Sequence, residues 1–170
     1  DTMTRRFSVA PDPRVASTTA DLAAQYAATR RTIDRINEIV ENVKRVEDLQ
    51  SQIDDRTKRP ADSTATARLA DSAKTVRAKL EAVRAELYEV GCHVDQCTLD
   101  MPVKLYNKFI TLNMQLQVGS YAPTQAHGQV YDTLKARLDT QLRELERIEA
   151  QELPRLNRLL ESLGLPALYV

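Results

Sequence analysis

The sequence predicts an all-α protein: an antiparallel four-helix bundle with two long and two shorter helices, preceded by an extended N-terminal segment. Three observations carry this. Leu69, Ala73, Val76, Leu80, Val83, Leu87 and Val90 recur in steps of four and three, marking one helix face that needs a partner. Three of the four glycines, Gly91, Gly119 and Gly164, stand just past such runs, where glycine closes a helix in the left-handed conformation without steric cost. Charged residues make up 28% of the 170 and aromatics 5%, with no tryptophan. That composition suits Ala-, Leu-, Arg- and Glu-built helices better than strands, and the length suits one domain with a substantial core.

Residues 1–16 differ from the rest. Arg5-Arg6-Phe7-Ser8-Val9-Ala10 alternates loosely and Pro11-Asp12-Pro13 forbids helix, so this stretch is an extended linker or the last strand of a preceding β-domain. Residues 17–170 form the bundle. The first helix starts at Ser17-Thr18-Thr19, whose hydroxyls can cap it, with Asp21 favourable in the first turn. Its face reads Leu22, Tyr26, Ile33, Ile36, Val40, Val43, Val46, Leu49 and Ile53, to about Asp55. The segment Lys58–Ser63 breaks it, and a second helix covers Thr64 to Val90. Pro102 suits the first turn of a third helix, with Asp100 as its cap and Leu105, Phe109, Leu112 and Leu116 on its face. Thr124 caps a fourth, whose stripe runs through Val130, Leu134, Leu138, Leu142, Leu145, Ile148, Leu153, Leu156, Leu159 and Leu163. Pro154 falls inside that pattern and predicts a kink.

Lys+Arg and Asp+Glu are both 24, and no basic face of the kind nucleic acid requires stands out. No run approaches 18 apolar residues, so no membrane span is predicted. The chain opens at Asp1 with no signal peptide, which reads as a mature or clipped product or a piece of something longer.

Cys92 and Cys97 are the only cysteines. A local disulfide closing a small loop is the plainest use, worth about 2 kcal/mol on the chain-entropy model, and it places the chain in an oxidising compartment, periplasmic or extracellular. The alternatives are free thiols, or a metal held by Cys92, His93, Asp95 and Cys97, the right atom types at cramped spacing. His93 and His127 are the two histidines, and His127 lacks the carboxylate spacing of a di-iron helix. Glu144, Glu146, Glu149 and Glu152, interleaved with Arg143 and Arg147, read as a solvated face. No phosphate loop, nucleophile elbow or metalloprotease helix is present, so no catalytic residue, metal or cofactor is assigned. Tyr106, Phe109 and Tyr121 gather around the third helix and read as core, with a recognition patch as the alternative.

The segments Leu105-Tyr106-Asn107-Lys108, Tyr121-Ala122-Pro123-Thr124, Leu134-Lys135-Ala136-Arg137-Leu138-Asp139 and Leu153-Pro154-Arg155-Leu156-Asn157-Arg158-Leu159-Leu160, with the opening Phe7–Val15, resemble one group of proteins. It is the C-terminal helical region of bacterial exported proteins with sortilin-like, BNR-repeat β-propellers, a group that includes proteins described as glycosyl hydrolases. The resemblance implies that glycosidase-like activity belongs to the propeller and that the helical tail carries no catalytic residues.

The expected function is a non-catalytic structural or protein-interaction module. It would be a C-terminal piece of a larger exported protein, or an extrinsic subunit docked on a larger, possibly membrane-bound, complex. A metal-binding or enzymatic accessory domain using the Cys92–Cys97 loop is the alternative. Partner contacts should come from features the bundle itself does not require: Arg5, Arg6 and Phe7 in the head, and Leu165, Leu168, Tyr169 and Val170 in the tail.

Overall fold

The first apolar stripe becomes one helix of 39 residues, α1 (Thr19–Thr57), in the computed structural model, which describes residues 2–10, 12–58, 64–89, 91 and 99–170. Its start is a capping box: Thr18 Oγ1 accepts from the Asp21 N–H at 3.2 Å, and Asp21 Oδ2 accepts from the Thr18 N–H at 2.9 Å. The buried face is Ala28, Thr32, Ile36, Ile39, Val43, Val46, Leu49 and Ile53, whereas Tyr26 and Val40, expected on it, are exposed. Ile39 faces the core in place of Val40, and lower down the face passes through Thr32. Its hydroxyl donates to the Ala28 carbonyl at 2.8 Å, which satisfies the polar atom and lets a threonine hold a core position.

The second stripe becomes α2 (Thr64–Leu87), burying Leu69, Ala73, Val76, Leu80, Val83 and Leu87 as the spacing predicts. It stops at Leu87, short of Val90, so Gly91 does not close it. Next comes α3 (Leu105–Leu116), with Leu105, Phe109, Leu112 and Leu116 buried. Asp100 is not its cap: Lys104 takes the cap position with no side-chain bond, and Pro102 lies outside the helix, two residues before that cap. Gly119 and Gly164 adopt the expected left-handed conformation, with φ of 72° and 67°.

The last rod is α4 (Gln125–Arg147), a π-helical turn Ile148–Glu152, and α5 (Leu153–Ser162). The expected disturbance at Pro154 is thus a π-turn just before it. Pro154, in the first turn of α5, has no N–H to give an α-helical bond, and the Leu153 N–H donates to the Ile148 carbonyl instead. The end of α5 is fastened by the Gly164 N–H to Glu161 at 2.9 Å and the Leu165 N–H to Leu160 at 2.9 Å, the paired bonds of a Schellman motif.

Side-chain pairs fix the helix directions. Between α1 and α2, Asp54 meets Arg77 at 2.9 Å, Gln50 meets Glu81 at 3.1 Å and Glu47 meets Arg84 at 3.7 Å, so the two are antiparallel. Gln25 of α1 reaches the Leu116 and Gly119 carbonyls at the end of α3, while the start of α3 lies further up α1. Both short helices therefore run against α1, end to end. Arg35–Asp139 at 3.9 Å and Arg45–Glu149 at 2.7 Å set the last rod parallel to α1. The chain is a helical bundle of four helical stretches, with no strand among the described residues, but their directions differ from a simple up-down alternation. The end of α2 meets the start of α3, where Tyr88 packs edge-on against Tyr106 at 5.2 Å. One core joins all the helices, with Ile39, Leu80, Phe109, Leu138 and Leu145 at its centre.

Candidate functional site

The two regions expected to contact partners lie at opposite ends of the bundle. At the foot of α1, Ser17 donates its hydroxyl to the Ser120 carbonyl, anchoring the head beside the α3–α4 turn. Asp12 organises the approach: its Oδ1 accepts from the Arg14 N–H at 2.9 Å, and its carboxylate pairs with the Arg14 guanidinium, which lowers the carboxyl from its usual range. Beyond it, residues 2–10 take no regular secondary structure and carry Arg5, Arg6 and Phe7 in the open. Met3, Phe7 and Val9 are 85–87% exposed, with nothing of the bundle laid over them.

The tail sits at the other end, about 50 Å away along α1, so head and tail do not make one surface. Its four expected contacts separate. Leu168 is 5% exposed and belongs to the core, and Leu165 packs half-buried against it; neither is open to a partner in this conformation. Tyr169 and Val170 remain 71% and 65% exposed. The burial follows from the turn at Gly164, which folds the tail back over α5 toward α1.

Other candidate groups take structural places. His127 closes a capping box with Thr124: its Nδ1 accepts from the Thr124 N–H at 3.2 Å, and its own N–H donates to Thr124 Oγ1 at 3.3 Å. Phe109 is core and meets Tyr131 edge-on at 6.3 Å, with Arg31 stacked 4.3 Å over the Tyr131 ring. Tyr106 packs half-buried on Tyr88, while Tyr121, expected in the core, is exposed against Gly119. Val130, read as part of the α4 stripe, is exposed; Tyr131 takes the buried place, and Val130 joins Val103, Leu112 and Leu134 around a shallow apolar cleft of about 440 Å³ between α3 and α4.

A dense charge cluster surrounds the π-turn. Arg45 pairs with Glu149 at 2.7 Å, Lys79 with Glu152 at 2.7 Å, and Arg147 with Glu144 and Glu152 at 2.7 and 3.5 Å. These carboxylates are not the wholly solvated face the sequence predicts, because Glu149 and Glu152 keep only 12% and 15% of their side chains exposed. The Lys79 hydrogen bond lowers the Glu152 carboxyl, while burial raises that of Glu149 against the pull of Arg45. Glu149 Oε1 and Arg45 Nε are both buried without a hydrogen-bond partner. The signal that could have found this turn is the step of five from Ile148 to Leu153, followed at once by Pro154.

Cys92 and Cys97, with the loop expected to hold a disulfide or a metal, lie outside the described residues. Among those described, no three His, Cys, Asp or Glu side chains are placed to hold a metal ion, and no helix is long and apolar enough to cross a membrane. No family model matches the chain, nor does any curated protein or solved structure. The likeness to sortilin-like propeller proteins rests on the quoted segments alone.

Proposed function

We propose that this chain is a non-catalytic structural or protein-interaction module of an exported protein or extracytoplasmic complex, and that the head is where it engages its neighbour. The observation behind this reading is the exposure of Met3, Phe7 and Val9 on a segment with no regular secondary structure. Apolar side chains in that state gain from burial elsewhere, and a segment outside any helix can add a strand to a partner's sheet edge. The bundle then acts as a rigid stalk, with Ser17 and the Asp12–Arg14 turn fixing where the head leaves it.

The test is a Phe7→Ser, Val9→Ser double variant of the full chain, compared with the unaltered chain for melting and for co-purification with its native assembly. The expected result is unchanged melting with loss of the assembly. A variant that still co-purifies overturns the reading. Intact mass with and without reductant tests the compartment, since a closed Cys92–Cys97 bridge adds two hydrogens on reduction.

A further inference from the structure

Four pairs of adjacent basic residues occur in the chain: Arg5-Arg6, Arg30-Arg31, Lys44-Arg45 and Lys58-Arg59. Two of them lie inside α1, where Arg45 pairs with Glu149 at 2.7 Å and Arg31 stacks over the Tyr131 ring. Lys58 is held by Asp55 at 2.6 Å, and Pro60 follows its arginine. Arg5 and Arg6 stand apart from these three pairs. Both are exposed on a segment with no regular secondary structure, and neither makes a hydrogen bond or ion pair among the described residues.

The single basic residues near helix ends are guarded too. Arg14 donates to both carboxylate oxygens of Asp12 at 2.6–3.2 Å. The bond after it lies in a turn closed by the Val15 N–H on the Asp12 carbonyl at 3.0 Å. Lys104 leads into Leu105, which is 1% exposed. An endoprotease binds its substrate as a strand, with residues on both sides of the cleaved bond laid along its cleft. A helix has to open locally before it can enter. A pocket with a carboxylate at its base then selects the basic side chain before the bond. Residues 2–10 meet all of these demands.

We propose that the bond between Arg6 and Phe7 is a processing site for a trypsin-like serine endoprotease, with Arg6 entering the carboxylate-based pocket and Arg5 in the position before it. Hydrolysis breaks the bond from the Arg6 carbonyl carbon to the Phe7 nitrogen and consumes one water. The enzyme's serine holds the acyl group between the two halves of the reaction. The water oxygen ends on the Arg6 carbonyl carbon, as a carboxylate, and both water protons end on the Phe7 nitrogen, as an ammonium group. The cut spares the bundle, because the Asp12–Arg14 turn and the Ser17 bond to Ser120 both lie downstream of it. Phe7 and Val9 stay on the bundle side, so this step stands whether or not the head engages a partner.

The first arm of the test is limited digestion of the folded full chain with trypsin, followed by intact mass. Cleavage after Arg6 should run at least about a hundredfold faster than any cut inside a helix, which must wait for local opening. The product beginning at Phe7 should melt with the uncut chain. A first cut after Arg14 or Lys58, or a product that melts earlier, overturns the proposal. The second arm reads the first residue of the chain isolated from its native source by mass spectrometry. Phe7 is expected, and an Arg5→Gln, Arg6→Gln chain expressed in that source should remain whole at this bond. Any other first residue overturns the site, as does a double variant still cut between positions 6 and 7.

Discussion

Single residues set the turns and the charge balance of this bundle, and two of them give sharp tests. Gly119 has φ of 72°, and a Cβ there would sit 2.7 Å from the Tyr121 ring. Gly119→Ala should therefore cost about 1–2 kcal/mol for the left-handed backbone alone, with displacement of the ring added. Denaturant melts measure it, and a loss below about 0.5 kcal/mol, the ordinary surface range, would mean the turn does not hold this conformation. Glu149 concerns pH. Burial raises its carboxyl, so the folded state binds that proton more tightly than the unfolded chain does. Its contribution is then whole at low pH and lost as pH rises through the raised value. Glu81, Asp139, Glu144 and Glu152 run the other way, lowered by hydrogen bonds from Arg84, Lys135, Arg147 and Lys79, and their contributions fade as pH falls. Between about pH 3.5 and about pH 7, the stability of Glu149→Gln relative to the unaltered chain should move in favour of the variant. Paired melts at the two pH values read this directly; a flat or opposite trend would show that Glu149 is not desolvated.

At the scale of elements, the apolar stripes carried most of what could be read beforehand. The α2 face was legible from Leu69 to Leu87 because every position on it is apolar, though the helix stops before Val90. On α1 the phase was misread at Tyr26 and Val40, since Ala28 and Thr32, one small and one polar, hold the true face. Leu80 and Leu145 are almost wholly buried. Truncation of either to alanine should cost about 2–5 kcal/mol, while Val130→Ala on the exposed side should stay within about 0.5 kcal/mol. The π-turn makes a less obvious prediction. It absorbs one extra residue between Ile148 and Leu153 and accommodates Pro154. Deleting Ala150 together with Pro154→Ala restores a step of four and leaves a plain helix with its face in register. That double change should cost about 1 kcal/mol or less, since it keeps the apolar face against the core. Deleting Thr140, in the regular part of α4, turns every later side chain by about 100° and should exceed about 4 kcal/mol, the exceptional range for a single change. Equal losses from the two deletions, measured by urea melts, would show that the π-turn does not set the register.

For the whole molecule, helix content and helix order were legible and helix direction was not. An apolar stripe looks the same whether its helix runs up or down, so direction is decided by connections and by inter-helix pairs such as Arg45–Glu149 that no local pattern announces. The short breaks after α1 and α3 force reversals. The stretch from Tyr88 to Lys104 does not, and it is there that the expected alternation gives way to two short helices in line. The consequence is measurable. Asp54 meets α2 at Arg77, just past its middle, and Gln25 meets α3 at its end, and about 44 Å of α1 lies between them. Spin labels carried on unnatural amino acids at exposed Lys74 and Gln117 leave both cysteines untouched. In the observed arrangement they should stand about 45–50 Å apart. With alternating directions, α3 would turn back along α2 and bring Gln117 to the level of Lys74, a separation nearer the 8–10 Å between packed helix axes, plus about 10 Å for the labels. A distance distribution centred below about 25 Å would therefore require α3 to run parallel to α1, and the inline placement of α2 and α3 would have to be abandoned.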